Sequence, residues 1–130
     1  MRELNEHKII TNDTLQVIVT DEQGAGGANH VYAILGIDYT KNPSLSNQSV
    51  ENGDTAIVFQ NGTIPENGVN GLTHEVLLAI VADRLRSFQA GQYACKANAC
   101  ALTHIEEALH WLQQRTIERM RRGVEGTHKI

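Results

Sequence analysis

No stretch of this 130-residue chain stays apolar for the roughly 20 residues that a membrane-spanning helix needs. The opening residues Met1 to Lys8 also lack the hydrophobic run of a secretory leader, so the expected location is the cytoplasm and no membrane partner is expected. Cysteine is scarce. Cys95 and Cys100, five apart at the start of a helix, point about 140° away from each other and cannot easily bridge, which suits small apolar packing residues in a reducing compartment. A cation excess is missing too: the formal net charge is -4, which argues against a DNA or RNA polymer as partner. The glycine-rich run from Gly24 to Asn29 has neither the Lys nor the Ser/Thr of a nucleotide loop and precedes a strand, so it reads as a turn. His74-Glu75 is not followed by the second His of a zinc-hydrolase signature, and no nucleophile stands beside a base. No cofactor is implied, and no catalytic residue is assigned.

What the chain does contain is a β-rich first part and a strongly helical second part. Hydrophobic residues make up 41%, enough for the modest core of one domain that gains from oligomerisation. We expect a single domain over 1–130, β-rich over 1–70, with a helical hairpin and tail over 71–130. Within Ile9 to Thr20 the β-branched run from Leu15 predicts a strand, and Val31 to Leu35 predicts a second. Lys41 to Gly53 is polar and loop-like. Thr55 to Gln60, Asn61-Gly62 and Thr63-Ile64 predict a strand, a tight turn and a short return strand. The fold class is α+β: a small antiparallel sheet followed by a long two-helix antiparallel hairpin.

The hairpin organises the rest. Leu77, Val81, Leu85 and Phe88 recur at helical spacing, with Thr73 as cap and Glu75 in the first turn, and Gly91 is expected to end the helix in a left-handed conformation. A second helix from about Cys95 carries Leu102, Ile105, Leu109, Leu112, Thr116 and Met120 on its apolar side and ends at Gly123. Folding back at Gly91 places Phe88 near Asn98 and Thr73 near Leu112. Everything beyond Leu112 then overhangs, and its stripe at Thr116 and Met120 needs cover from the N-terminal part or from a second copy of the chain.

Charge gathers at that overhang. From Arg115 onward the chain carries five Lys and Arg against two Glu, a net +3 that leaves -7 on the remainder. Arg115 and Arg119, one turn apart, could grip a diphosphate with two guanidinium forks, while Phe88 offers a ring for stacking and Asn98 a mixed donor and acceptor. Periodicity alone favours the plainer account, in which Phe88 is core and the arginines are a solvated helix end complementing its dipole. Glu107 and His110 match the Glu-x-x-His spacing of di-iron bundles, with His104 one turn back, but the first helix adds only Glu75 and Asp83, so no metal site is assigned. Most of the six histidines suit a solvated surface.

The run from Asn67 to Gly91, then Ala94 to Thr116, then Arg119 to His128 closely resembles the first family of phage Thoeris anti-defence sponges, whose helical hairpin is shared with anti-CBASS sponges of cyclic oligonucleotides. A looser likeness extends over Gly27 to Tyr32 and Phe59 to Gly62. The resemblance implies a binding protein that captures the TIR-derived signal glycocyclic ADP-ribose intact and so silences the Thoeris effector. It carries the stacking role onto Phe88, the polar role onto Asn98 and the phosphate grip onto Arg115 and Arg119. It also implies a second site for cyclic trinucleotides created by assembly, with Arg122, Gly126 and Thr127 as its candidates, and a homodimer or a hexamer built as a trimer of dimers. In the 62–65 turn this chain has Gly-Thr-Ile-Pro where the family has Gly-Pro-Ile, so no ligand contact is carried over there. Asn98 and Arg115 lie about 25 Å apart along one helix, too far to close together on one nucleotide-sized ligand. Two hairpins paired about a two-fold axis would instead share each site. Two other functions stand beside this one: a nucleotide-signal hydrolase using Glu106, Glu107 and His110, and a structural hairpin that binds a partner helix.

Overall fold

The computed structural model describes residues 1–5, 15–45, 55–123, 125 and 127. The chain divides into two compact units, Met1–Gly62 and Thr63–Ile130.

The first unit is built on β1 (Arg2–Glu3), β2 (Gln16–Val19), β3 (Val31–Leu35) and β4 (Thr55–Val58), an antiparallel sheet in which sequence neighbours pair in order. Val17 faces Ile34, and Ala33 faces Ala56, so the β-branched residues of β2 meet the middle of β3. The expected strands at Leu15 to Thr20 and Val31 to Leu35 are therefore present, and the short edge strand β1 had no distinct signal. The part of the first strand expectation from Ile9 to Thr14, and the loop expectation from Ser46 to Gly53, lie outside the described residues. Asp21 fastens the crossing from β2 to β3: its carboxylate accepts from the backbone N–H groups of His30 at 2.9 Å and Val31 at 3.0 Å, while its carbonyl accepts from Asn29 Nδ2 at 2.8 Å. Burial works against the charge, but these backbone donors outweigh it and hold the carboxyl below its ordinary 3.8. Among the described histidines His30 is the exception to the expected solvated surface: it is buried, and its Nδ1, 3.9 Å from Asp21 Oδ2, has no hydrogen-bond partner among the described residues. Val19 is fully buried. Tyr32 and Phe59 pack edge to face with centroids 5.8 Å apart.

The return strand expected at Thr63-Ile64 is absent. Those residues open a one-turn helix, α1 (Ile64–Asn67), because Pro65 has no N–H to lose in a first turn and its fixed φ suits a helix start. Asn67 N–H then donates to Thr63 O and Gly68 N–H to Ile64 O, both at 2.8 Å.

The second unit continues with α2 (His74–Gln89) and α3 (Lys96–Arg121). Thr73 caps α2, its Oγ1 accepting from Val76 N–H at 3.3 Å. Cys95 caps α3 in the same way, its Sγ accepting from Asn98 N–H at 3.4 Å, and both cysteines are exposed free thiols, which replaces the packing role expected for them. Gly91 is not among the glycines of positive φ, so α2 does not end in a left-handed residue there. Instead Gln89 Oε1 accepts from Cys95 N–H at 3.0 Å and closes the turn through a side chain. The left-handed stop belongs to Gly123, at φ 70°, after α3.

The seam between the helices also differs from the expectation. Glu75, Leu78, Ala82, Leu85 and Gln89 form a shielded series at steps of three and four along α2, Leu77 and Leu85 of the expected stripe are half-buried, and Ala82 at the centre is 0% exposed. Val81 and Phe88, expected in the seam, are exposed beside it; helical periodicity allowed either stripe, and the small Ala82 is what lets the two backbones approach. On α3 the shielded series is Asn98, Leu102, Ile105, Leu109, Leu112, Thr116 and Arg119. Arg119 thus sits on the seam side and Met120, 63% exposed, does not. Arg86 pairs with Glu106 at 3.4 Å, and Glu75 and Ala79 face Leu109, Gln113 and Thr116. The first turn of α2 therefore lies beside residues 113–116, one turn further along α3 than Thr73 beside Leu112, and the overhang is correspondingly shorter.

Candidate functional site

Phe88 belongs to the last turn of α2 and Asn98 to the first turn of α3, so the hairpin brings both to its tip, while Arg115 and Arg119 lie toward its base. A single hairpin does not bring the four together. Asn98 and Arg115 are about 25 Å apart along α3.

At about 100° per residue, Phe88 and Val81 stand roughly 100° round from the α2 seam, and Arg115 a similar angle round from the α3 seam. In an antiparallel pair of right-handed helices these offsets fall on the same broad side of the hairpin. That side therefore presents an apolar ring at one end and a cation at the other, with Trp111, 69% exposed, between them in sequence. The remaining broad side holds an open groove of about 420 Å³ lined by Glu75, Ala79, Leu109, Gln113 and Thr116. Its one charged group is a carboxylate, the wrong sign for a phosphate.

The two arginines are not equivalent. Arg115 is exposed and forms no ion pair or hydrogen bond among the described residues, so all its donors are open to a ligand. Arg119, its side chain 21% exposed, donates through Nε to Glu125 Oε2 at 3.2 Å and through Nη2 to Thr127 O at 3.2 Å. The sequence contains no signal for this fold-back of the tail. Arg122 caps α3, its N–H donating to Glu118 O at 3.1 Å, and Gly126 lies outside the described residues.

Phe88, 40% exposed, is free for stacking, yet the guanidinium of Arg84 stands over it with Cζ 5.7 Å from the ring centroid. The four-residue spacing of Arg84 and Phe88 was the sequence signal for this contact. The residues considered for hydrolysis or metal binding do not converge: Glu106 is held by Arg86, and His104 Nδ1 and Glu107 Oε2 form an exposed pair at 3.9 Å. Among the described residues no three His, Cys, Asp or Glu gather as a metal site, and no helix is long and apolar enough to cross a membrane.

Comparison with known proteins places this hairpin. A relative from Bacillus phage SBSphiJ7, described as Thoeris anti-defense 1, is 52% identical over 71 residues, which is 55% of this chain and 50% of the relative. The alignment thus spans half of that relative's length. The family model for the Acb2/Tad1 hairpin domain matches residues 51–116, a stretch that contains Phe88, Asn98 and Arg115 and stops short of Arg119. With half of its length accounted for by that model, the chain belongs to the Acb2/Tad1 hairpin-domain family.

Proposed function

We propose that the chain is a phage anti-defence sponge, a cytoplasmic protein of the infected cell that sequesters glycocyclic ADP-ribose without cleaving it and so keeps a Thoeris effector silent. The observation that carries this reading is the 52% identity to the phage protein described as Thoeris anti-defense 1. The geometry supports it through one hairpin side that carries an exposed ring at the tip and the unengaged Arg115 toward the base. Phe88 stacks on the adenine, Asn98 bonds a base or ribose edge, and Arg115 with Arg119 holds the diphosphate through charge-assisted, planar contacts.

The separation of tip and base makes the site a shared one. Two chains related by a two-fold axis place the tip of one against the base of the other, giving a homodimer with two equivalent sites, and further association gives a trimer of dimers. That contact would also cover Val81, Trp111 and other apolar side chains that a single chain leaves in solvent. Arg122, Gly126 and Thr127 are assigned to a second site for cyclic trinucleotides, formed only on assembly.

Capture without turnover is supported by the state of the residues considered for hydrolysis: Glu106 is tied to Arg86, and His104 with Glu107 lies open on the helix surface. The test is to saturate the pure protein with glycocyclic ADP-ribose, remove free ligand, denature the complex by heat and analyse what is released. Unchanged ligand in stoichiometric amount is expected. Release of ADP-ribose or another breakdown product would show an enzyme, and no ligand retained from this or a cyclic trinucleotide would favour a purely structural hairpin.

A further inference from the structure

The contact between Arg84 and Phe88 is unusual for what Arg84 lacks. Two arginines lie on α2, and Arg86 takes the available carboxylate, Glu106, across the hairpin at 3.4 Å. Arg84 has no ion pair and no hydrogen bond among the described residues; its recorded contact is the face of the Phe88 ring. An arginine and an aromatic one turn apart stabilise a helix only slightly. A cation held by nothing else can move away from the ring at little cost.

The spacing matters. With Cζ 5.7 Å from the ring centroid, the guanidinium is wider of the ring than direct stacking requires. A planar base inserted between two plates needs two van der Waals gaps of about 3.5 Å, or roughly 7 Å in all. Arg84 has to swing outward from the ring to admit a base, which an exposed side chain with no other partner among the described residues can do. The guanidinium is also flat and weakly hydrated, so it stacks on a π-face in a way that an ammonium cannot.

Building on the sponge reading, we propose that Arg84 is a specificity-determining residue: its guanidinium and the Phe88 ring close on opposite faces of a purine base, so that the site selects ligands that carry a planar base. Phe88 alone would supply one face and leave the other to solvent. Arg115 and Arg119 recognise any diphosphate, so discrimination between base-bearing and bare phosphate ligands resides at the Arg84 and Phe88 pair.

The test uses the full chain and glycocyclic ADP-ribose, with Arg84→Ala, Arg84→Lys and Phe88→Leu. Calorimetry gives affinity, and the ultraviolet hypochromism of the bound adenine reports stacking. Arg84→Ala and Arg84→Lys are both expected to weaken binding about tenfold and to reduce the hypochromism. Arg84→Ala in the Phe88→Leu background should cost clearly less than in the wild type, because both residues act on one base. If Arg84→Lys binds as the wild type does, charge alone is at work and the sandwich is wrong. Full binding and full hypochromism in Arg84→Ala would also overturn it. Those outcomes leave the sponge reading intact, whereas a folded wild type that does not bind the ligand removes both.

Discussion

Arg119 donates to the carboxylate of Glu125, six residues further along the chain, so the guanidinium assigned to a diphosphate already holds an anion. The carboxylate and a phosphate oxygen would compete for the same Nε–H. Glu125→Gln should therefore tighten capture of glycocyclic ADP-ribose, by up to about fivefold for a partly exposed pair worth no more than about 1 kcal/mol. Titration calorimetry at fixed ionic strength checks this; weaker binding in the variant would mean that Glu125 orients Arg119 for the ligand.

The proposed sharing of the site between two chains makes a second prediction. Arg115→Ala and Asn98→Ala should each impair binding, the arginine by about 2 to 5 kcal/mol because a desolvated charge partner is lost. Mixed after confirmed subunit exchange, the two variants should recover one intact site per heterodimer. No recovery would place both residues in one site of one chain, or in none.

Helix ends give a third. Gly91 has ordinary φ, and a Cβ there would meet Ser87 O at a comfortable 3.7 Å, so Gly91→Ala should be neutral or stabilise by about 0.4 to 1 kcal/mol. Gly123 sits at φ 70°, where a side chain is strained, and Gly123→Ala should destabilise by about 1 to 2 kcal/mol. Thermal unfolding of the two variants side by side distinguishes these positions.

The acid limb of stability supplies a fourth. Asp21 is held below its ordinary 3.8 in the folded chain, so its contribution is present above that value and is lost as pH falls through the lowered folded value. Asp21→Asn should lower the melting temperature at neutral pH and flatten its fall in acid. An unchanged acid limb would show that the bonds to His30 and Val31 contribute nothing net.

Much of this was legible in the sequence because the signals were local. Thr73 announced its cap, and the steps from Leu102 to Thr116 announced the α3 seam, since both depend on residues within one or two turns. Helix α2 was harder: Leu77 and Leu85 of the expected stripe are half-buried, but Val81 and Phe88 are exposed and Leu78 and Ala82 are shielded in their place, a choice that depends on which side packs against another helix. Gly91 and the Asn61-Gly62 pair misled for a related reason. A glycine beside a helix end suggests a left-handed stop, but the side chain of Gln89 closes this turn; an Asn-Gly pair after a strand suggests a return strand, but Pro65 beyond it, with no N–H to lose, starts a helix instead. Of the proposed site, the roles of Phe88, Asn98, Arg115 and Arg119 came from the family resemblance, since periodicity alone favoured core and a solvated helix end; counting residues placed them at opposite ends of the hairpin. The grip of Glu125 on Arg119 could not be read in either way, because it depends on how the tail folds back.

Ala82 is the single fully shielded residue among those described in the helical hairpin, so the contact between α2 and α3 is thin. The proposed dimer would add to that contact, and the melting temperature should then climb with protein concentration by mass action. If each ligand bridges two chains, linkage is reciprocal: the captured nucleotide strengthens association by the same factor by which association strengthens capture. Dilute chains would then respond steeply to their signal, since each molecule bound recruits the partner that completes the neighbouring site.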